Sequence, residues 1–183
     1  MKFFLSGIFE IYFSRMHGCT QSPDDFKRGT QMNDLGEQNK FYVLYPEQTS
    51  SANQNKCWNW FEPAHQKRGS GEPKLIAGMV DSVKSKYQID DDRGLIVGFL
   101  FMFVVFVAGL SAGAAMSAIL GATYPDIFAC IGVGAGLEYK AATSVVSAFT
   151  AMSSGGPNPK TQGVAAYKAS PLDKEICVSV IHG

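Results

Sequence analysis

The run Val107-Ala108-Gly109-Leu110-Ser111-Ala112-Gly113 constrains this chain more than any other stretch. A serine between two glycines, preceded by apolar residues and followed by alanines, predicts a strand that turns sharply into a helix with the serine at the bend. Small flanking residues let the backbone fold tightly enough to expose the serine Oγ, with main-chain N–H groups close by to meet a developing oxyanion. Ser111 is therefore the candidate nucleophile. Short Gly/Ser/Ala runs also occur inside apolar helices, so the context of the turn decides.

With 183 residues, 46% of them hydrophobic, and no formal net charge, the chain can build one sizeable core and is too short for two domains. Balanced charge without a Lys/Arg run excludes an electrostatic nucleic-acid surface, and Lys84 and Lys86 read as a solvated helix face. Cys19, Cys57, Cys130 and Cys177 show no CxxC spacing, which argues against zinc or a thioredoxin-like pair. Cys130 and Cys177 fall in apolar, strand-like runs and read as buried thiols. Met1 to Phe9 has an apolar stretch after Lys2, but Glu10 interrupts it and no small-residue cleavage site follows.

Gly94 to Leu110 is entirely apolar or glycine, and no charge appears before Asp126. That length matches the ~17 residues at the short end of a membrane span, and Gly109 with Gly113 supplies a small-xxx-small spacing. A soluble strand is the preferred reading, because a membrane helix would bury the serine turn in lipid.

Along the chain, Thr30 can cap a short helix carrying Met32 and Leu35, and Phe41 to Tyr45 reads as a buried strand closed by Pro46. Gln48 to Pro73, rich in Asn, Gln, Ser and Gly, reads as a long surface loop. Leu75, Ile76, Met79, Val80, Val83 and Tyr87 then share one helical face. After the serine turn, Ala112 to Ala122 predicts a helix stopped at Tyr124-Pro125. Ile127 to Val133 predicts a strand, Ala141 to Met152 a helix, Ser153 to Pro159 a loop, and Ile176 to Ile181 a final strand. Apolar strands alternating with helices imply an α/β fold with a parallel sheet covered on both faces.

A second motif, His17-Gly18-Cys19, lies well upstream of Ser111, where such a fold places the loop that completes an oxyanion hole. The backbone N–H groups of Cys19 and Ala112 are then the two expected donors, with His17 orienting the loop rather than acting as a base.

Together, His17-Gly18-Cys19-Thr20-Gln21, Asn39-Lys40-Phe41, Tyr45-Pro46, Cys57-Trp58-Asn59-Trp60-Phe61, Arg68-Gly69 and Gly109-Leu110-Ser111-Ala112-Gly113 resemble the polyhydroxybutyrate depolymerase family of esterases. The matches run in order over residues 16 to 183, leaving residues 1 to 15 as an atypical N-terminal segment. The resemblance implies a secreted α/β-hydrolase that cleaves short-chain polyhydroxyalkanoate or related esters, with feruloyl and acetylxylan esterases as relatives. It implies no metal or organic cofactor, an ester as the partner, and a disulfide between Cys19 and Cys57. Trp58, with Trp60 beside it in sequence, is the candidate substrate contact, and packing under a loop is the other placement for a tryptophan here.

The departures from the family carry expectations too. Gly94 to Val104 reads as an insertion in front of the strand that enters the serine turn, and Ser14-Arg15-Met16 as an interruption of the strand expected before His17. His182-Gly183 resembles the strand end that just precedes the family's triad aspartate, so the domain reads as partial, with the triad aspartate and histidine outside it and activity weak or absent. The order serine, acid, histidine also admits Asp173 or Glu175 with His182, against the family pattern.

Overall fold

The computed structural model describes residues 11–86, 104–172 and 175–182. Among these residues five strands form one sheet in the order β2-β1-β3-β4-β5, every neighbouring pair parallel: β1 Ile11–Met16, β2 Tyr42–Leu44, β3 Val104–Leu110, β4 Phe128–Gly134 and β5 Cys177–Ile181. The expected α/β class with a parallel sheet is what the chain adopts. Parallel pairing needs crossovers, and among the described residues six helices supply them: α1 Pro23–Thr30, α2 Met32–Asn39, α3 Gly71–Lys86, α4 Ala112–Thr123, α5 Val145–Ser154 and α6 Pro159–Ala169.

Helix α4 is the centre of the core. Nearly every residue along it is buried, and it packs on β3 and β4. Its glycines and alanines let it lie close to the sheet, so that a Cβ added at Gly121 would fall 2.8 Å from Ile131 Cγ2. Met116 and Leu120 of the helix are fully buried, as are Met16, Val107 and Phe128 of the strands in the same core.

Several expectations change at this level. The strand before His17 is intact: β1 runs through Ser14-Arg15-Met16 and pairs with both β2 and β3, so a boundary after residue 15 falls inside a central strand. A Ser22 capping box and Pro23 start α1, and Thr30 ends it, its hydroxyl donating to Phe26 O rather than capping the next helix. On α3 the buried face is Glu72, Pro73, Ile76, Ala77 and Val80, while Leu75 is 64% exposed. Tyr87 and the proposed insertion, apart from Val104 at the start of β3, lie outside the described residues. The last seven residues of the apolar run form β3, and among the described residues no helix is long and apolar enough to cross a membrane. Cys130 and Cys177, read as thiols, are register partners on β4 and β5 and are joined as a disulfide.

Candidate active site

Ser111 sits where β3 ends and α4 begins, with φ 54° and ψ −120°, a backbone conformation that a side chain with a Cβ adopts only at a cost. The surrounding structure holds it there. Its N–H donates to Gly134 O at 2.9 Å, and its carbonyl accepts from Ala114 and Ala115 N–H at 3.0 Å each. The side chain caps nothing and is exposed. Ala112 and Gly113, the first two helical residues, have N–H groups with no acceptor inside the helix, and they stand at the positive end of its dipole.

Both glycines of the motif are required by close approach. A Cβ at Gly109 would lie 2.7 Å from Ala114 N, and one at Gly113 would lie 2.6 Å from His17 O and collide with Met16 O. The helix that follows the serine is thus pressed directly against the strand that precedes it and against the Met16–Cys19 segment. This contact turns Cys19 and Ser111 towards one cavity. Cys19, Ser111 and Ala112 line one cavity of about 710 Å³ at the C-terminal edge of the sheet.

A dense set of bonds fixes the segment that carries Cys19. His17 is fully buried; its Nε2 accepts from Gln48 N–H at 3.0 Å, so the proton sits on Nδ1 and donates to Gly18 O at 2.8 Å. Gly18 N–H donates to Gln21 Oε1 at 2.7 Å, and Thr20 N–H to Asn55 O at 2.7 Å. The Cys19–Cys57 disulfide closes the same junction. Trp58, expected to meet substrate, is 3% exposed and donates its indole N–H to His17 O at 3.0 Å, so it props the segment from beneath. The aromatic residues on the cavity wall are Trp60, Phe61 and Phe149.

Sequence reasoning missed what anchors this loop. The buried Glu72 carboxylate accepts from Asn59 N–H at 2.8 Å, from Asn59 Nδ2 at 2.7 Å and from Gln48 Nε2, while His65 Nδ1 lies 3.4 Å away. Gln66 donates to Trp60 O at 2.8 Å and Ala142 O at 2.7 Å, tying the loop to the segment before α5. The region read as a surface loop therefore buries Gln48, Trp58, Asn59, Trp60 and Gln66. Farther off, Arg68 makes two 2.6 Å bonds to Asp126, which hold that carboxyl below its usual range and raise the guanidinium further.

Of the three histidines, His17 and His65 are committed to these networks, and His182, at the end of β5, lines the Ser111 cavity. Glu175 precedes β5 and His182 follows it, so the extended strand holds the two at opposite ends and no Glu175–His182 pair forms at Ser111; Asp173 lies outside the described residues. Among the described residues no cluster of His, Cys, Asp and Glu could hold a metal.

The family model described as Esterase PHB depolymerase matches residues 11–172. Poly(3-hydroxyalkanoate) depolymerase C of Paucimonas lemoignei is 47% identical over 140 residues, covering 76% of this chain and 31% of that relative. Acetylxylan esterase A of Talaromyces purpureogenus is 33% identical over 129 residues, covering 68% of this chain and 30% of its own length. Among solved structures, the acetyl xylan esterase from Aspergillus awamori superposes with a TM-score of 0.73 at 25% identity, over 95% of this chain and 61% of that one. The chain spans about a third of the length of these two curated relatives.

Proposed function

The chain belongs to the Esterase PHB depolymerase family, and from that premise we propose that it is a serine ester hydrolase acting on short-chain polyhydroxyalkanoate or related esters. Ser111 Oγ attacks the ester carbonyl, the tetrahedral oxyanion is met by the N–H groups of Cys19 and Ala112, and the alcohol leaves to give an acyl-enzyme that water then hydrolyses. The observation that carries this reading is the strained, exposed Ser111 at the start of α4, in one cavity with Cys19 and Ala112. The polyester is preferred to a feruloyl or acetylated-xylan substrate because the depolymerase relative is 47% identical and the acetylxylan esterase 33%. The general base and its acid are residues that follow Ser111 outside the Glu175–His182 pair, as the resemblance implies.

Two disulfides fit an oxidising, extracellular setting for the domain. The test of function is release of 3-hydroxybutyrate from its linear oligomers, and of acetate from acetylated xylan, by the chain and by Ser111→Ala. Ser111-dependent turnover of the oligomer supports the proposal. Turnover that survives in Ser111→Ala, or that is confined to acetylated xylan, contradicts it.

A further inference from the structure

One wall of the Ser111 cavity is a helix packed inside out. In α5 the residues that meet the core are two alanines, Ala148 and Ala151, whereas Val145, Phe149 and Met152 are 54%, 66% and 57% exposed. A helix docked by its apolar face does the reverse, burying its large side chains and turning small or polar ones outward. Val145, Phe149 and Met152 recur at i, i+4 and i+7, so they form one stripe, and all three line the cavity that holds Ser111. The helix, VVSAFTAMSS, carries no charge along its length. The stripe therefore prolongs the cavity wall into solvent as the kind of exposed apolar surface that marks a binding site.

We propose that this stripe of α5 is the docking track for the alkyl-bearing chain that continues from the scissile ester, so that the site selects flexible aliphatic polyesters over carbohydrate esters. The inference takes its ester from the assignment of Ser111 above. An aliphatic polyester presents alkyl groups and carbonyl acceptors but no donors, so laying it along Phe149 and Met152 strips water from little that needs it. Gln54 and Asn55 line the same cavity and bring amide donors for the carbonyls of further units. A sugar ester has hydroxyls on most faces, and each one set against this stripe would lose its water without a partner.

The test is calorimetric titration of the full chain carrying Ser111→Ala, so that nothing turns over, with a linear trimer of 3-hydroxybutyrate and with acetylated xylotriose. The trimer is expected to bind, and its affinity to fall about tenfold or more when Phe149→Ser and Met152→Ser are added. The thermal midpoint should hold, because both side chains are already exposed. Acetylated xylotriose is expected to bind more weakly and to be indifferent to the two substitutions. Trimer affinity unchanged within twofold, or an equal loss for both ligands, would overturn the track. So would a chain that sediments as a dimer and becomes a monomer in the α5 variant with trimer affinity intact, since the stripe is then a self-association face. Fluorophosphonate labelling of the otherwise unaltered chain is scored separately. Labelling at Ser111 without α5-dependent binding removes the track alone, and α5-dependent binding without labelling removes the nucleophile and leaves the track supported.

Discussion

Replacing Gly113 with alanine tests the turn at the point where two backbones touch. The new Cβ would lie 2.6 Å from His17 O, where ordinary contact begins at 3.4 Å, and it would be closer still to Met16 O. The atoms in its way are backbone, and the nearest of them, Met16 O, forces the Met16–Cys19 segment to retreat by about 1 Å, at a stability cost of about 1–3 kcal/mol, as for other overpacked sites. The larger effect falls on chemistry. This segment carries the Cys19 N–H, and oxyanion donors work only within about 2.7–3.1 Å of the charge they stabilise. A misplacement approaching 1 Å costs about a hundredfold in rate. The assay is the second-order rate of fluorophosphonate labelling of Ser111, read beside the thermal midpoint. A folded Gly113→Ala variant that labels about a hundredfold more slowly is the expected result. A folded variant labelling at the unaltered rate would refute the reasoning, because Cys19 would then have no part in the oxyanion hole.

Glu72→Ala strands the buried donors of Gln48 and Asn59 and is expected to cost about 2–4 kcal/mol, measured as a lower urea midpoint with an unchanged slope. Asp126→Asn should reveal a pH-dependent increment. Hydrogen bonds from Arg68 hold the Asp126 carboxyl below its unfolded value, so the pair stabilises above about pH 4 and the contribution is lost as pH falls through the lower, folded value. With both side chains more than a third exposed, the difference in stability is about 0.5–1 kcal/mol at pH 6 and shrinks towards zero in acid, which paired thermal melts will show. His182→Ala should leave Ser111 labelling within about threefold, as for a strand-end residue; a loss of about a hundredfold would make His182 the base.

The serine turn was legible because its chemistry is local: two glycines that no Cβ could replace, an apolar strand before and an alanine-rich helix after, all within one window of sequence. The pairing of Cys19 with Cys57 was legible only through resemblance, since spacing says nothing about proximity. Other features depended on tertiary context. Which tryptophan faces the cavity turns on an aperiodic loop clamped by Glu72, so Trp58 and Trp60 could not be told apart from sequence. The Cys130–Cys177 link is a matter of strand register between β4 and β5. Ser14 and Arg15 looked like an interruption, yet a central parallel strand tolerates them because Ser14 is buried against Met16 and Arg15 lies over the Phe26 ring. Helices α1 and α6 bury one side chain and none respectively, which leaves no apolar period to detect. The capping box at Ser22 and the Asn158-Pro159 start were the available signals. Leu75 misled because the buried face of α3 follows a neighbouring stripe, Glu72, Pro73, Ile76, Ala77 and Val80.

The central claim is that the bend at position 111 makes one serine hydroxyl reactive. Peptide mapping by mass spectrometry after fluorophosphonate treatment of the native chain tests it most directly. A single adduct on Ser111 that disappears in Ser111→Ala is the expected result. An unmodified native chain, or an adduct that persists in Ser111→Ala, would contradict it.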